Sequence, residues 1–380
     1  MKKSQFSLLF ISIIFLPLQG YSQEKFQKSI TVSYESGPFT STGQDWSEAL
    51  NEIIEFRAID AKIGWQRRNP NYMDDLYRNP NFGLGFTTAL PYFEEIGKPM
   101  AVYGFFEFPF GRNLKNNRLR FGYFGQLGLG FNANPYDEQN NPLNNYLGSS
   151  VNGYVHLGLN GKYRITDRLD LTATLGLKHY SNGASTKPNK GLNMVPIGIG
   201  LSTKIGRPIA RDVARPIYPD LEKRGFWNIA AYLGRRSYEI GEPSYFRGGL
   251  GVNYLWEASY KYRLGLGIDV FYAAGLEKRF PDQSFGLFDK TSIALVGSWE
   301  WKISDRLFVP IALGVYVYRT DLNQEFTQYY ERIGVRYRID DQISAGFAIK
   351  AHKAKADFFE FTLGYTIPGK VKYSRPHRTK

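Results

Sequence analysis

Apolar and polar residues alternate with period two along most of this 380-residue chain. Between 169 and 177 the odd positions are Leu169, Leu171, Ala173, Leu175 and Leu177, and the even ones are Asp170, Thr172, Thr174 and Gly176. Ile293, Leu295, Gly297, Trp299, Trp301 and Ile303 form one row; Ser292, Ser298, Glu300 and Lys302 belong to the other. Ile333, Val335, Tyr337 and Ile339 alternate with Arg332, Gly334, Arg336 and Arg338. Phe359, Phe361, Leu363, Tyr365 and Ile367 alternate with Glu360, Thr362, Gly364 and Thr366. Successive side chains of a strand point to opposite faces, so each segment reads as a strand with one apolar face. The pattern predicts strands at 28–38, 55–66, 81–89, 100–110, 116–131, 150–165, 168–181 and 194–206. After a Pro/Arg-rich break it predicts 226–237, 247–262, 264–275, 291–303, 306–319, 328–339, 342–352 and 357–367.

Arginine and glutamate on the second face of strand after strand suit a closed transmembrane barrel. One row meets lipid and the other lines a polar interior. The predicted fold class is all-β, a transmembrane antiparallel β-barrel. Period-two counting allows one barrel of about 14–16 strands or two eight-stranded barrels in tandem. The expected organisation is an eight-strand β region over 23–206, a linker over 207–225, a second β-strand region over 226–368 and a basic tail over 369–380. Turns at Thr166-Asp167, Ser304-Asp305 and Asp340-Asp341 have the short form of periplasmic turns. The stretch 67–80 is too long for that scheme, which puts the placement of one early strand in question.

Met1-Lys2-Lys3, an apolar run over 6–18 and Gly20-Tyr21-Ser22 together read as a secretory signal peptide over 1–22. The run is short for a bilayer span; a short N-terminal anchor is the alternative. Localisation in the bacterial outer membrane follows from export and the strand pattern. An aromatic share of 16% and 39 glycines favour strands and tight turns. The absence of cysteine removes disulfides, thiolate metal sites and a cysteine nucleophile. The net charge is +13; without the leader, 46 basic residues face 35 acidic ones, leaving +11. Such a chain suits anionic partners, namely lipopolysaccharide phosphates or acidic lipids. Nucleic acid is not expected, because the basic residues are dispersed and no binding motif accompanies them. Asp340-Asp341 and Tyr136-Asp137-Glu138 lack calcium-loop spacing. No nucleotide or haem motif is present, so neither metal nor cofactor is expected.

One segment departs from a plain pore. His179 and Ser181 continue the odd, lipid-facing row that starts at Leu169. Two residues apart on one strand face, an imidazole and a hydroxyl are neighbours, the minimum for an activated serine. Asn193 has the same parity at the start of the next strand. If the chain starts in the periplasm, this end of the strand is extracellular. The same spacing also fits a polar rim histidine followed by a loop serine.

The run His179-Tyr180-Ser181-Asn182-Gly183-Ala184, followed by Lys187-Pro188-Asn189-Lys190-Gly191-Leu192-Asn193, resembles the signature of the outer-membrane lipid A 3-O-deacylases, the acyloxyacyl hydrolase family. The tail that begins at Lys350-Ala351-His352 is similar to the longer, Bacteroidetes-type members. The resemblance implies an eight-stranded barrel with the motif between its last two strands. It implies that Ser181 is the nucleophile and His179 the general base. Asn182, Gly183 and Asn189 fall in the oxyanion and substrate-positioning region. The third triad position, a glutamate in the family, falls on Asn193. An amide can orient the ring but cannot offset the imidazolium charge. That departure leaves a slower hydrolase, an acid from another strand or a lost activity. Lys178, Lys187 and Lys190 flank the motif as candidate contacts for lipid A phosphates, and loop solubility explains them equally well. The expected function is a serine esterase that removes an ester-linked acyl chain from lipid A in the outer leaflet. The alternative is a non-catalytic barrel: a porin, a transporter or a structural protein.

Overall fold

A computed structural model describes residues 25–40, 55–90, 92–111, 117–209 and 215–370. The expected signal peptide, and all of the basic tail beyond 370, lie outside the described residues. The first half contains β1 (Phe26–Pro38), β2 (Glu55–Arg67), the short helix α1 (Tyr72–Leu76), β3 (Asn81–Ala89), β4 (Gly97–Pro109), β5 (Leu119–Ala133), β6 (Asn152–Arg164), β7 (Leu169–Ser181), β8 (Leu192–Met194) and β9 (Ile197–Ile205). The second contains β10 (Gly225–Arg236), β11 (Tyr245–Glu257), β12 (Tyr262–Ala273), the turn of helix α2 (Leu276–Arg279), β13 (Thr291–Lys302), β14 (Leu307–Tyr318), β15 (Tyr329–Arg338), β16 (Ile343–His352) and β17 (Lys355–Pro368).

Each half closes on itself. In the first, β1 pairs with β9 through Lys28↔Ile205 to Ser36↔Ile197, and β6 pairs with β7. β8 and β9 share one strand position, interrupted at Val195-Pro196, where proline lacks a ladder donor. In the second, β10 pairs with β17 from Phe226↔Pro368 to Arg235↔Phe359. The molecule is therefore two eight-stranded antiparallel barrels, and the single large barrel is excluded. Closure removes the sheet edge, which lipid cannot hydrogen-bond.

The alternation is realised in three dimensions. Ile30, Val32 and Tyr34, like Leu266, Ile268 and Val270, expose their side chains on the barrel exterior. The interior rows carry charge that is paired. Glu107 accepts from Lys62 at 3.2 Å and Lys162 at 2.6 Å in the first barrel. Arg332 bridges Asp269 at 2.6 Å and Glu360 at 2.7 Å in the second. Apart from the half-buried Lys162, these groups are buried, so each barrel is filled by its own side chains.

The long stretch 67–80 holds no misplaced strand. Asn71 caps α1: its side chain accepts from the Asp74 N–H while Asp74 accepts from the Asn71 N–H. Met73 and Tyr77 then pack with Phe108 and with Ile303 of the second barrel. Tyr77 donates to the Lys302 carbonyl at 2.5 Å and accepts from Trp301 Nε1 at 2.7 Å. This segment staples the barrels together at the rim that also carries the short turns near 166 and 304. The 182–191 loop lies at the opposite rim.

Candidate active site

β7 places the candidate site through ladder register alone. Its burial alternates, with Asp170, Thr172, Gly176, Lys178 and Tyr180 inside and Leu171, Leu175 and Leu177 outside. His179 and Ser181 extend the outward row, and β8 brings Asn193 directly opposite His179. Side chains of such a cross-strand pair lie side by side. The opposing residue on the other flank of Ser181 is Gly153, which has no side chain to cover the hydroxyl.

The three groups form a chain. His179 Nε2 lies 2.8 Å from Ser181 Oγ, and His179 Nδ1 lies 2.6 Å from Asn193 Oδ1. The Asn193 amide donates its Nδ2 to the Gly191 carbonyl at 3.3 Å, which turns Oδ1 toward the ring. An oxygen there accepts a proton from Nδ1, so the Nε2 lone pair faces the serine. Gly191 has φ +76°, and a Cβ on it would sit 2.5 Å from His179 Cε1. Only a glycine lets the loop backbone come this close to the imidazole.

The loop between β7 and β8 is braced from several sides. Asn182 donates Nδ2 to Ser149 Oγ at 3.0 Å and to the Thr186 carbonyl at 2.9 Å. Its backbone N–H donates to Asn189 Oδ1 at 3.0 Å, and the Gly191 N–H donates to the Tyr146 carbonyl at 3.0 Å. Gly183 and Ala184 both have positive φ, +61° and +62°. Successive backbone N–H groups in a turn can bind an anion. Among the described residues neither amide donates to a protein acceptor.

The sequence-predicted residues separate into groups. His179, Ser181 and Asn193 come together, and Gly183 follows two residues after Ser181 with its α-carbon turned toward Phe359. Asn182 is committed to holding the loop, whereas Asn189 has an NH₂ group without an acceptor among the described residues. Lys178 is a correction. Its even parity turns it into the barrel, where it pairs with Glu35 and is buried, so it cannot meet a lipid phosphate. Lys187 and Lys190 are on the loop between β7 and β8. Partial burial, with the Arg236 guanidinium nearby, lowers the Lys187 pKa from its ordinary value, and partial burial also lowers that of Lys190. Ser149 and Gly191 brace the site without having been singled out. Ser149 carries no periodic signal, but Gly191 stands inside the motif, where a glycine between two strands marks a turn or a close backbone approach.

Family models match the first barrel from within β2 onward and the whole of the second. The model for lipid A 3-O-deacylase (PagL) matches residues 59–202, and that for the acyloxyacyl hydrolase C-terminal domain matches residues 225–370. The chain belongs to the lipid A 3-O-deacylase family, whose members are ester hydrolases of the outer membrane. No curated protein matches it. Among solved structures it is similar to Pseudomonas aeruginosa OccK11 (OpdR) at 10% identity and TM-score 0.20, over 91% of this chain and 97% of that one. It is also similar to the Pseudomonas putida toluene transporter TodX at 8% identity and TM-score 0.18, over 92% and 89% of the two chains. A mutant Rh. blastica porin shows 9% identity and TM-score 0.18, over 90% and 100%. Scores this low add nothing to the fold or to the function.

Proposed function

We propose that this protein is a serine esterase that removes an ester-linked acyl chain from lipid A at the outer leaflet. The observation that carries the proposal is the unbroken Ser181–His179–Asn193 hydrogen-bond chain, on the lipid-facing side of a barrel rim. His179 Nε2 takes the Ser181 proton as Oγ attacks the ester carbonyl. The Gly183 and Ala184 amides, with Asn189 Nδ2, stabilise the oxyanion. Collapse of the tetrahedral intermediate expels the sugar alkoxide, which receives the proton from His179. Water, deprotonated by the same imidazole, then attacks the acyl-enzyme, and the fatty acid leaves as Ser181 regains its proton. Asn193 holds the imidazole in the required tautomer without contributing charge.

Both barrel interiors are packed with paired side chains, an observation that favours the esterase over a passive pore. Mass spectrometry of lipid A from expressing cells tests it. Wild type is expected to strip one acyl chain, and Ser181→Ala none. Identical spectra from the two would return the protein to the passive barrels. Gly191→Ala is expected to lower turnover by on the order of a hundredfold, because the new methyl displaces the imidazole. Heat-modifiable gel migration should be unchanged. A wild-type rate in that variant would mean the ring position is not critical.

A further inference from the structure

The loop that carries the candidate oxyanion donors is seated on the second barrel. The Ser237 N–H, just after β10, donates to the Ala184 carbonyl at 2.9 Å. A Cβ on Gly183 would lie 2.8 Å from Phe359 Cβ and 3.2 Å from Ile349 Cδ1. Both contacts occur within three residues of Ser181. Phe359 belongs to the outward row of β17, and its ring lies 5.7 Å from that of Phe347 on β16 and 5.2 Å from that of Phe361. Phe361, one step deeper in the bilayer, is 65% exposed. On the first barrel the row beneath His179 is Leu177 and Leu175, also exposed. Two apolar walls therefore descend into the bilayer below the serine, one from each barrel.

A cation stands at the top of the second wall. Arg235 is the cross-strand partner of Phe359, exposed and on the outward row of β10. Its Nη2 donates to the Ser244 carbonyl at 3.1 Å. Among the described residues it has no carboxylate partner. The next residue, Arg236, points inward and is paired with Asp357. A guanidinium above an aromatic strip matches an amphiphile with a phosphate over an acyl chain.

We infer that the C-terminal barrel completes the substrate site. Phe359 and Phe361 form the wall that receives the acyl chain, and Arg235 meets a phosphate of the headgroup. The inference rests on the esterase reading above and adds a role for the second half of the chain. An ordinary aromatic rim would anchor the barrel equally well, but it would not discriminate between substrates.

The test uses the full-length protein in detergent, with Phe361→Ala and Arg235→Gln. Neither residue touches the loop at 182–191 in any contact described above, so folding and chemistry should persist, as judged by heat-modifiable migration and by hydrolysis of a short-chain ester. Phe361→Ala is expected to lower kcat/KM for a long-chain ester about tenfold while changing the short-chain value less than about twofold. Arg235→Gln is expected to raise KM for phosphorylated lipid A roughly fivefold, and to leave KM for dephosphorylated lipid A unchanged. If wild type hydrolyses these substrates and both variants keep wild-type ratios, the second barrel is only a support and the inference is wrong. If wild type and Ser181→Ala are equally inert on every substrate, the esterase reading itself has failed and this inference falls with it.

Discussion

His179→Ala and Ser181→Ala are each expected to reduce ester turnover by at least about 10⁴-fold, and the double variant is expected to be no slower than either single one. Nucleophile and base act as one unit, so removing the second member of a broken pair costs nothing further. The geometry supports this, since Ser181 Oγ lies 2.8 Å from His179 Nε2. Asn193→Ala is expected to cost less, because the imidazole stays beside the serine and still populates the required tautomer part of the time, without an acceptor to fix it. Single-turnover kinetics on purified, folded variants measure all four. Multiplicative losses in the double variant would show that the two residues do not share a proton. Asn193→Glu adds the charge that an amide lacks. A gain in rate would identify the missing charge as the limit, and a loss would show that the amide's second bond, to the Gly191 carbonyl, matters more.

The second large effect is expected in the other barrel. Asp357 is buried and accepts from Lys350 at 2.6 Å and Arg247 at 3.3 Å, and it also pairs with Arg236. Three cations surround it in the buried interior, so Asp357→Ala leaves charge uncompensated at a cost of about 3–5 kcal/mol. The expected result is a marked fall in the urea midpoint for unfolding. The exposed control Asp282→Ala should stay within about 0.5 kcal/mol of wild type. An unchanged midpoint for Asp357→Ala would mean that the cations are solvated within the barrel. The same cluster touches the site, because Arg236 precedes Ser237, whose N–H holds the Ala184 carbonyl. Loosening the interior should therefore also slow ester turnover, which links the second barrel's packing to chemistry in the first.

Much of the fold was legible because a barrel strand repeats one simple rule. The rows through Leu169–Leu177 and Phe359–Ile367 announce which face meets lipid, since only alternation satisfies a lipid exterior and a polar interior together. The site was legible for the same reason. Parity alone put His179, Ser181 and Asn193 on one face, and ladder register then made them neighbours. Parity also condemned Lys178 as a phosphate contact, although proximity in sequence had recommended it. The stretch 67–80 resisted because its purpose is not to link strands. It carries α1, from which Met73 and the following Tyr77 pack against both Phe108 and Ile303 of a second barrel that no local pattern reveals.

Period two determined, from the residues alone, that this chain is made of membrane strands and that a serine, a histidine and an asparagine share one outward face. It could not determine how many strands close a ring, because alternation looks the same in a barrel of any size. Closure is decided by which distant edges pair, here β1 with β9 and β10 with β17. The approach of Phe359 and Ser237 to the loop beside Ser181 is likewise a property of two finished barrels standing side by side. Those contacts join residues more than fifty positions apart, and only the assembled surfaces bring them within reach.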